Sequence, residues 1–333
     1  MINDIILYHS EHWDKSCNCA FCINRRNIVN SLEKLGYSVN IQSFKCDWKH
    51  FYPAKIHFDY ALHYQNKIFG SIMFEADKVP FKLREFVDTY FDYVICPSKF
   101  LRQMWIDSKV SSKYLILSHL GLNEEIFNIG KSKERLYPGI FKFLSVGAWQ
   151  HKEWYDRKGF ELLIRIFREL FEDNKKVMLI IKTDKYADDG LASGNIKIMK
   201  DNLSPVELAD LYRNCAKEGA YVSLHKGEGF SRTLLEAFYC GCRIGATGWS
   251  GPLDFLNNEN VILFNFKLQD CNLYPESFYD NGILPKWASP DEYEIKRWMM
   301  NIIKDKKLIQ NRKDGYGWDN IVSNLMSDIK ERL

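Results

Sequence analysis

Short apolar runs of strand length alternate with helix-period segments along this chain, and they do so twice over. That alternation restricts the fold more than any other feature. In the first half, DIILYH (4–9) reads as a strand, and Ile28, Leu32 and Leu35 line one face of a helix over 22–35 that Gly36 is placed to end. Further strands are expected at 37–44, 57–64, 68–75, 93–98 and 114–120, with a helix after Ser98, a good N-cap. The second half repeats the pattern. Strands are expected at 141–149, 177–184, 195–200, 219–226, 243–248 and 260–266, with helices from 159, after the cap-like Ser204-Pro205, and over 232–240. Apolar strands alternating with helices imply parallel sheets covered on both faces.

The chain has 333 residues, about twice the usual size of one domain, so two doubly wound α/β domains are expected. The polar segment 124–140, with its Gly and Pro, reads as the connection. In open parallel sheets ligands sit beyond the carboxyl ends of the strands, so two such domains facing each other would bind ligand in the cleft between them.

Charge narrows the partners. There are 46 basic and 43 acidic side chains, net +3, too weak an excess for nucleic-acid binding. A local basic patch toward a membrane surface or an anionic acceptor stays open, so peripheral membrane contact is kept among the expectations. No apolar stretch approaches the roughly 20 residues of a membrane span. The opening MINDIILYHSEH lacks the parts of a secretion signal, and nine cysteines, an odd number, suit reduced thiols. A cytoplasmic protein is expected.

The most informative stretch is SLHKGEGFSRTLLEAFYCGCRIGATGWSGPLDFL, 223–256. Glu228 falls in the loop at a strand's carboxyl end, and Glu236 falls about one turn into the following helix. The amides at the helix start would face an anion, leaving the two carboxylates to accept from sugar and ribose hydroxyls. A second block, SVGAWQHKEWYDRKGFELLIRIF (145–167), gives a strand that contains Gly147, a polar loop, and a helix opening on Arg157-Lys158-Gly159. Cations sit unfavourably at a helix N-terminus unless an anion is nearby.

These blocks resemble the family 4 glycosyltransferases, retaining enzymes of the GT-B fold that use activated sugar donors. Four pieces carry the resemblance in order: Glu228-Gly229-Phe230-Ser231, Leu235-Glu236-Ala237, Gly241-Cys242-Arg243 and Gly248-Trp249-Ser250-Gly251. Lys158 matches the family's lysine for the donor diphosphate. The arginine often found directly after the strand glycine is replaced by Ala148, and Arg157 is preferred over Lys152 and His151 as its substitute for its fixed fork of donors. Segments 73–80, 92–100 and 118–127 resemble the family's N-terminal half, with Asn123 in place of the usual Asp. The glycine-rich loop common after the first strand is missing.

The resemblance implies a GT-B architecture of two Rossmann-like domains. An acceptor-side domain would span 1–130, a linker 131–140, a nucleotide-sugar-binding domain 141–315, and a C-terminal helix in 316–333 would pack back across them. It implies a retaining, metal-independent glycosyltransferase that moves a sugar from a nucleotide-diphosphate-sugar to a glycan, lipid or other hydroxyl acceptor, with no cofactor. Glu228, Lys158 and Arg157 would serve catalysis. Glu236, Gly229, Phe230, Ser231, Gly147 and Gly251 would bind the donor. His63 and Glu75, each at an expected strand end, are acceptor-side candidates, and His225 should lie near the donor. A sugar-nucleotide epimerase, a phosphorylase and an inactive nucleotide-sugar-binding module share this pattern and stay open. Cys17, Cys19 and Cys22, with His9 and His12 upstream, form a cluster that could hold zinc, but its spacing fits no common zinc or ferredoxin motif, and loop or helix-start thiols are the favoured reading.

Overall fold

The structure is a computed structural model. It describes residues 4–9, 20–46, 58–133, 135–149, 156–184, 187–256, 261–271, 276–305 and 315–333. The chain divides into two compact units. The first comprises Met1–Leu122, Asp270–Lys286 and Asp314–Leu333, and the second Asn123–Gln269 and Trp287–Lys313.

The first unit contains β1 (Asp4–His9), α1 (Ala20–Lys34), β2 (Ser38–Ser43), β3 (Phe58–Tyr64), β4 (Lys67–Ile72), α2 (Phe81–Tyr90), β5 (Tyr93–Cys96), α3 (Lys99–Asp107) and β6 (Leu115–Leu117). Its six-stranded sheet runs β2-β1-β3-β4-β5-β6. The expectation of a wholly parallel sheet is corrected here, because β3 is antiparallel to both β1 and β4. Gln65 and Asn66 join β3 to β4, with φ of 49° and 62°. A two-residue link with both φ positive makes a hairpin, whereas parallel neighbours need a crossover of a dozen residues or more.

This hairpin moves His63. Its strand runs against its neighbours, so His63 pairs with Ile6 of β1 and with Ile68 near the start of β4. The ring stacks on Tyr8, centroids 6.3 Å apart. His63 therefore lies away from the carboxyl ends of β1 and β4, and its placement as an acceptor-side residue at such an end is corrected. Glu75 does follow the carboxyl end of β4, half-buried in the loop before α2.

The second unit contains β7 (Phe141–Val146), α4 (Phe160–Phe171), β8 (Val177–Lys182), β9 (Ile196–Met199), α5 (Pro205–Lys217), β10 (Gly219–Ser223), α6 (Arg232–Tyr239), β11 (Ile244–Thr247) and β12 (Val261–Phe264). The strand β13 (Phe266–Asp270) and its ribbon partner β14 (Lys286–Pro290) follow, then α7 (Glu292–Ile302). The six-stranded sheet β12-β11-β10-β7-β8-β9 is parallel throughout. Phe143, Phe160, Leu163, Phe167, Leu179, Ile181 and Val222 pack between this sheet and α4. Ser204 opens α5 with a capping box: its hydroxyl accepts from Glu207 N, and its own N–H donates to the Glu207 carboxylate. The segment before β7 is pinned to α5, with Leu136 N donating to Asn214 Oδ1 and Arg213 donating to the Ile126 and Asn128 carbonyls.

The last helix, α8 (Trp318–Arg332), belongs to the first unit and lies against α1, where the Ser31 hydroxyl and Lys34 both bond to Asp319. Trp318 gives Gly121 its reason: a Cβ there would come within 2.3 Å of the indole. Among the described residues, no helix is long and apolar enough to cross a membrane.

Candidate active site

The sheet of the second unit reverses direction between β7 and β10. From β7 the chain winds outward through β8 and β9, then returns to β10 and winds the other way through β11 and β12. Such a switch point leaves a crevice beyond the carboxyl ends of the two central strands. Gly147 to Trp149 follow β7, Asp156 to Gly159 lead into α4, and the loop after β10 carries Leu224 through Ser231. Both informative sequence blocks thus meet at one place.

The contact between them is ionic and buried. Lys158 Nζ donates to Glu228 Oε1 at 2.5 Å, and Arg157 Nη1 lies 3.4 Å from the same oxygen. Arg157 Nη1 also donates to the Gly227 carbonyl at 2.7 Å, while the Arg157 carbonyl accepts from Lys226 N. Glu228 is only 6% exposed and Arg157 5%. Burial works against ionisation of Glu228, but Lys158, Arg157 and His225 outweigh it and hold the carboxyl down at about 2.

The folded-state depression sets the pH dependence. A carboxyl lowered from about 4.5 to about 2 stabilises the fold above its ordinary range, and that stabilisation is lost as pH falls through the folded value. The difference in unfolding free energy between the wild type and Glu228→Gln is expected to be constant above about pH 5 and to shrink between about 4.5 and 2. Urea unfolding across that range measures it, and a difference independent of pH would contradict the pairing.

The neighbouring loops are shaped by close backbone approaches. Gly159 has φ 72°, and a Cβ there would sit 2.2 Å from the Leu224 carbonyl oxygen. Gly251 likewise lies against the Gly229 carbonyl, and its N–H donates to Glu228 O at 2.9 Å. Gly147 leaves room for the Lys158 stem, whose Cε would be 3.2 Å from an added Cβ. Phe230 is fully buried against Phe255. Ser231 begins α6 with φ 70° and makes no side-chain cap.

His225 is buried between the Trp249 carbonyl, 3.1 Å from Nε2, and the Ser223 hydroxyl, 3.0 Å from Nδ1. The carbonyl only accepts, so Nε2 carries the proton and Nδ1 accepts from Ser223. Burial pushes the ring's pKa down, so the imidazole is neutral at neutral pH. Glu236 is 2% exposed, accepts from the Tyr212 hydroxyl at 3.1 Å and pairs with Arg232 Nε at 3.0 Å. Burial raises its pKa, although Arg232 and Tyr212 work in the other direction.

A cavity of about 690 Å³ opens beside the cluster, bounded by Ala148, Trp149, Phe160, Arg157, Lys158 and Lys226 among others. His151 and Lys152, the other substitutes weighed for the missing arginine, lie outside the described residues, as do His12, Cys17 and Cys19. Among the described residues no group of His, Cys, Asp and Glu side chains is placed to hold a metal ion.

No family model matches the chain. An uncharacterized glycosyltransferase of Methanocaldococcus jannaschii is 26% identical over 234 residues, 65% of this chain and 50% of that protein. The chain therefore spans about half the length of that curated relative. Anabaena HepE, solved in complex with UDP and glucose, matches with a TM-score of 0.55 at 14% identity, over 75% of this chain and 67% of its own. A glycosyltransferase from Rickettsia africae matches with a TM-score of 0.54 at 13% identity, over 96% and 83%. The fold is that of the GT-B glycosyltransferases.

Within this GT-B fold, four residues around the site were given no role by the sequence reading. Tyr212 and Arg232 hold Glu236, and Ser250 accepts from Glu228 N at 3.0 Å. Of these, Arg232 was legible, since Arg and Glu four apart on a helix share a face. Asp156 is the fourth. Its carboxylate accepts from Glu161 N and Leu162 N, capping α4. Gly159 at the N-cap position has no side chain to do so, and that vacancy was the available signal.

Proposed function

We propose that this chain is a glycosyltransferase that moves a sugar from a nucleotide-diphosphate-sugar to a hydroxyl-bearing acceptor. The observation that carries the reading is the buried Lys158–Arg157–Glu228 cluster, two cations set beside a cavity at the switch point of a GT-B fold. An anionic diphosphate is the ligand that paired cations beside a cavity favour, and the start of α6 adds amides of the right polarity. The glycosyltransferase relative and the UDP and glucose bound to HepE support the same reading.

In the proposed reaction the bond between the sugar C1 and the diphosphate oxygen breaks, and a bond from C1 to the acceptor oxygen forms. The acceptor's proton leaves on a phosphate oxygen of the departing nucleotide. Lys158 and Arg157 neutralise the charge that develops on that leaving group, where a metal ion would otherwise be needed. Glu228 accepts from hydroxyls of the transferred sugar, whose oxocarbenium-like transition state it also stabilises. Glu236 accepts from the ribose. The anomeric configuration is retained, as the resemblance to family 4 implies.

A donor panel of UDP-, GDP-, ADP- and TDP-sugars in the presence of EDTA tests this, beginning with UDP-glucose. Release of nucleoside diphosphate from one donor is expected, with loss of at least about 100-fold in Glu228→Gln. Release that requires an added divalent cation would remove the metal-independent part of the proposal. No release and no binding of any donor would remove the whole.

A further inference from the structure

The segment Asp156–Gly159 presents Arg157 and Lys158 to Glu228, and its conformation is costly. Asp156 itself has φ 42° and Gly159 φ 72°, two left-handed residues within four. The turn closes through Gly159 N donating to the Asp156 carbonyl at 3.0 Å. On the far side, the Asp156 carboxylate reaches over the turn to Glu161 N at 3.1 Å and Leu162 N at 3.4 Å. One residue therefore fixes both the turn and the first amides of α4.

The arrangement answers the electrostatic question raised by two cations at a helix start. The anions that make them tolerable are the protein's own: Asp156 over the α4 amides and Glu228 against the cations. Because Asp156 occupies those amides, the start of α4 is not left to receive a phosphate, and the basic side chains are turned toward the β10 loop instead. Burial pushes the Asp156 carboxyl up to about 6, with Lys226 and the two amides opposing it and Glu161 adding to it. A non-glycine residue kept both left-handed and partly desolvated is the kind of strain that persists where the surrounding structure imposes it, often at a functional site.

We propose that Asp156 is a positioning residue: by capping α4 from across the turn, its carboxylate holds Lys158 in place beside Glu228. The inference rests on the transferase reading of Lys158. A positioning residue acts through the group it positions, so its effect on turnover should vanish once that group is gone.

The test uses Asp156→Gly, which deletes the carboxylate while leaving the left-handed backbone unstrained, together with Asp156→Asn, Lys158→Ala and the double variant Asp156→Gly/Lys158→Ala. Turnover of the donor identified by the panel is read alongside the thermal midpoint. Asp156→Gly is expected to lower kcat by about 10- to 100-fold, the scale of a misplaced catalytic group. Asp156→Asn, which keeps an oxygen for the two amides, should recover most of the loss, and the double variant should be no slower than Lys158→Ala alone. Wild-type kcat in Asp156→Gly, or losses that multiply in the double variant, would overturn the inference while leaving the transferase reading intact. Wild-type kcat in Lys158→Ala, or no turnover of any donor by the wild type, would remove both. If Asp156→Gly does not fold, Asp156→Ala takes its place: loss of kcat unaccompanied by further loss in Asp156→Ala/Lys158→Ala supports positioning, and wild-type kcat or multiplied losses overturn it.

Discussion

Replacing Lys158 with alanine is expected to cut kcat by about 10²- to 10³-fold, the usual scale for deleting one preorganised group aimed at developing charge. Stability should change much less. Lys158 is partly exposed, at 17%, and its aliphatic stem lies over Gly147 at the mouth of the cavity. Its loss leaves Glu228 with Arg157, still 3.4 Å away and fixed by the Gly227 carbonyl. The buried carboxylate is thus not stranded, and a cost of about 1–3 kcal/mol is expected, that of one hydrogen bond to a charged group. Arginine at position 158 should restore only part of the rate, because a planar fork does not reproduce a compact ammonium. Single-turnover measurements on folded protein check this, and an unchanged kcat would sink the role given to Lys158.

Gly159→Ala should produce the largest loss of stability from a single added methyl group. A non-glycine residue in the left-handed region costs about 1–2 kcal/mol. The new Cβ would also meet the Leu224 carbonyl oxygen at 2.2 Å, a backbone atom at the end of β10 that cannot rotate away. Overpacking of this kind typically costs about 1–3 kcal/mol more, for a total of about 2–5 kcal/mol. Urea denaturation provides the measurement. A loss below about 1 kcal/mol would show that the turn relaxes freely, and the close packing of the two site loops would then not be what holds Lys158 near Glu228.

Much of this was legible in the chain alone, and the reason is local. Phe160, Ile164, Phe167 and Phe171 recur at helical spacing and are buried on one face of α4. Ser98 and Ser204 announce their helices because their hydroxyls accept from amides three residues on. The lysine after the β7 loop and the glutamate after β10 were identifiable because each is embedded in its own short pattern. The antiparallel β3 was missed for a local reason too. Gln65-Asn66 is a weaker hairpin signal than Asn-Gly, so two runs joined by a tight turn read as two independent parallel strands.

By itself, the sequence determined that two α/β units would form, that Arg157, Lys158 and Glu228 would lie at strand ends or helix starts, and that Glu236 would lie about one turn into its helix. Periodicity and short motifs encode this, since both depend on residues within a few positions of one another. The tertiary structure alone decided that β7 and β10 would be neighbours. It decided that Lys158 and Arg157, 70 and 71 positions from Glu228, would share one of its oxygens. It also decided that His63 would lie away from the carboxyl edge. Those outcomes depend on strand order and direction, set by the packing of whole elements, and no local pattern carries them.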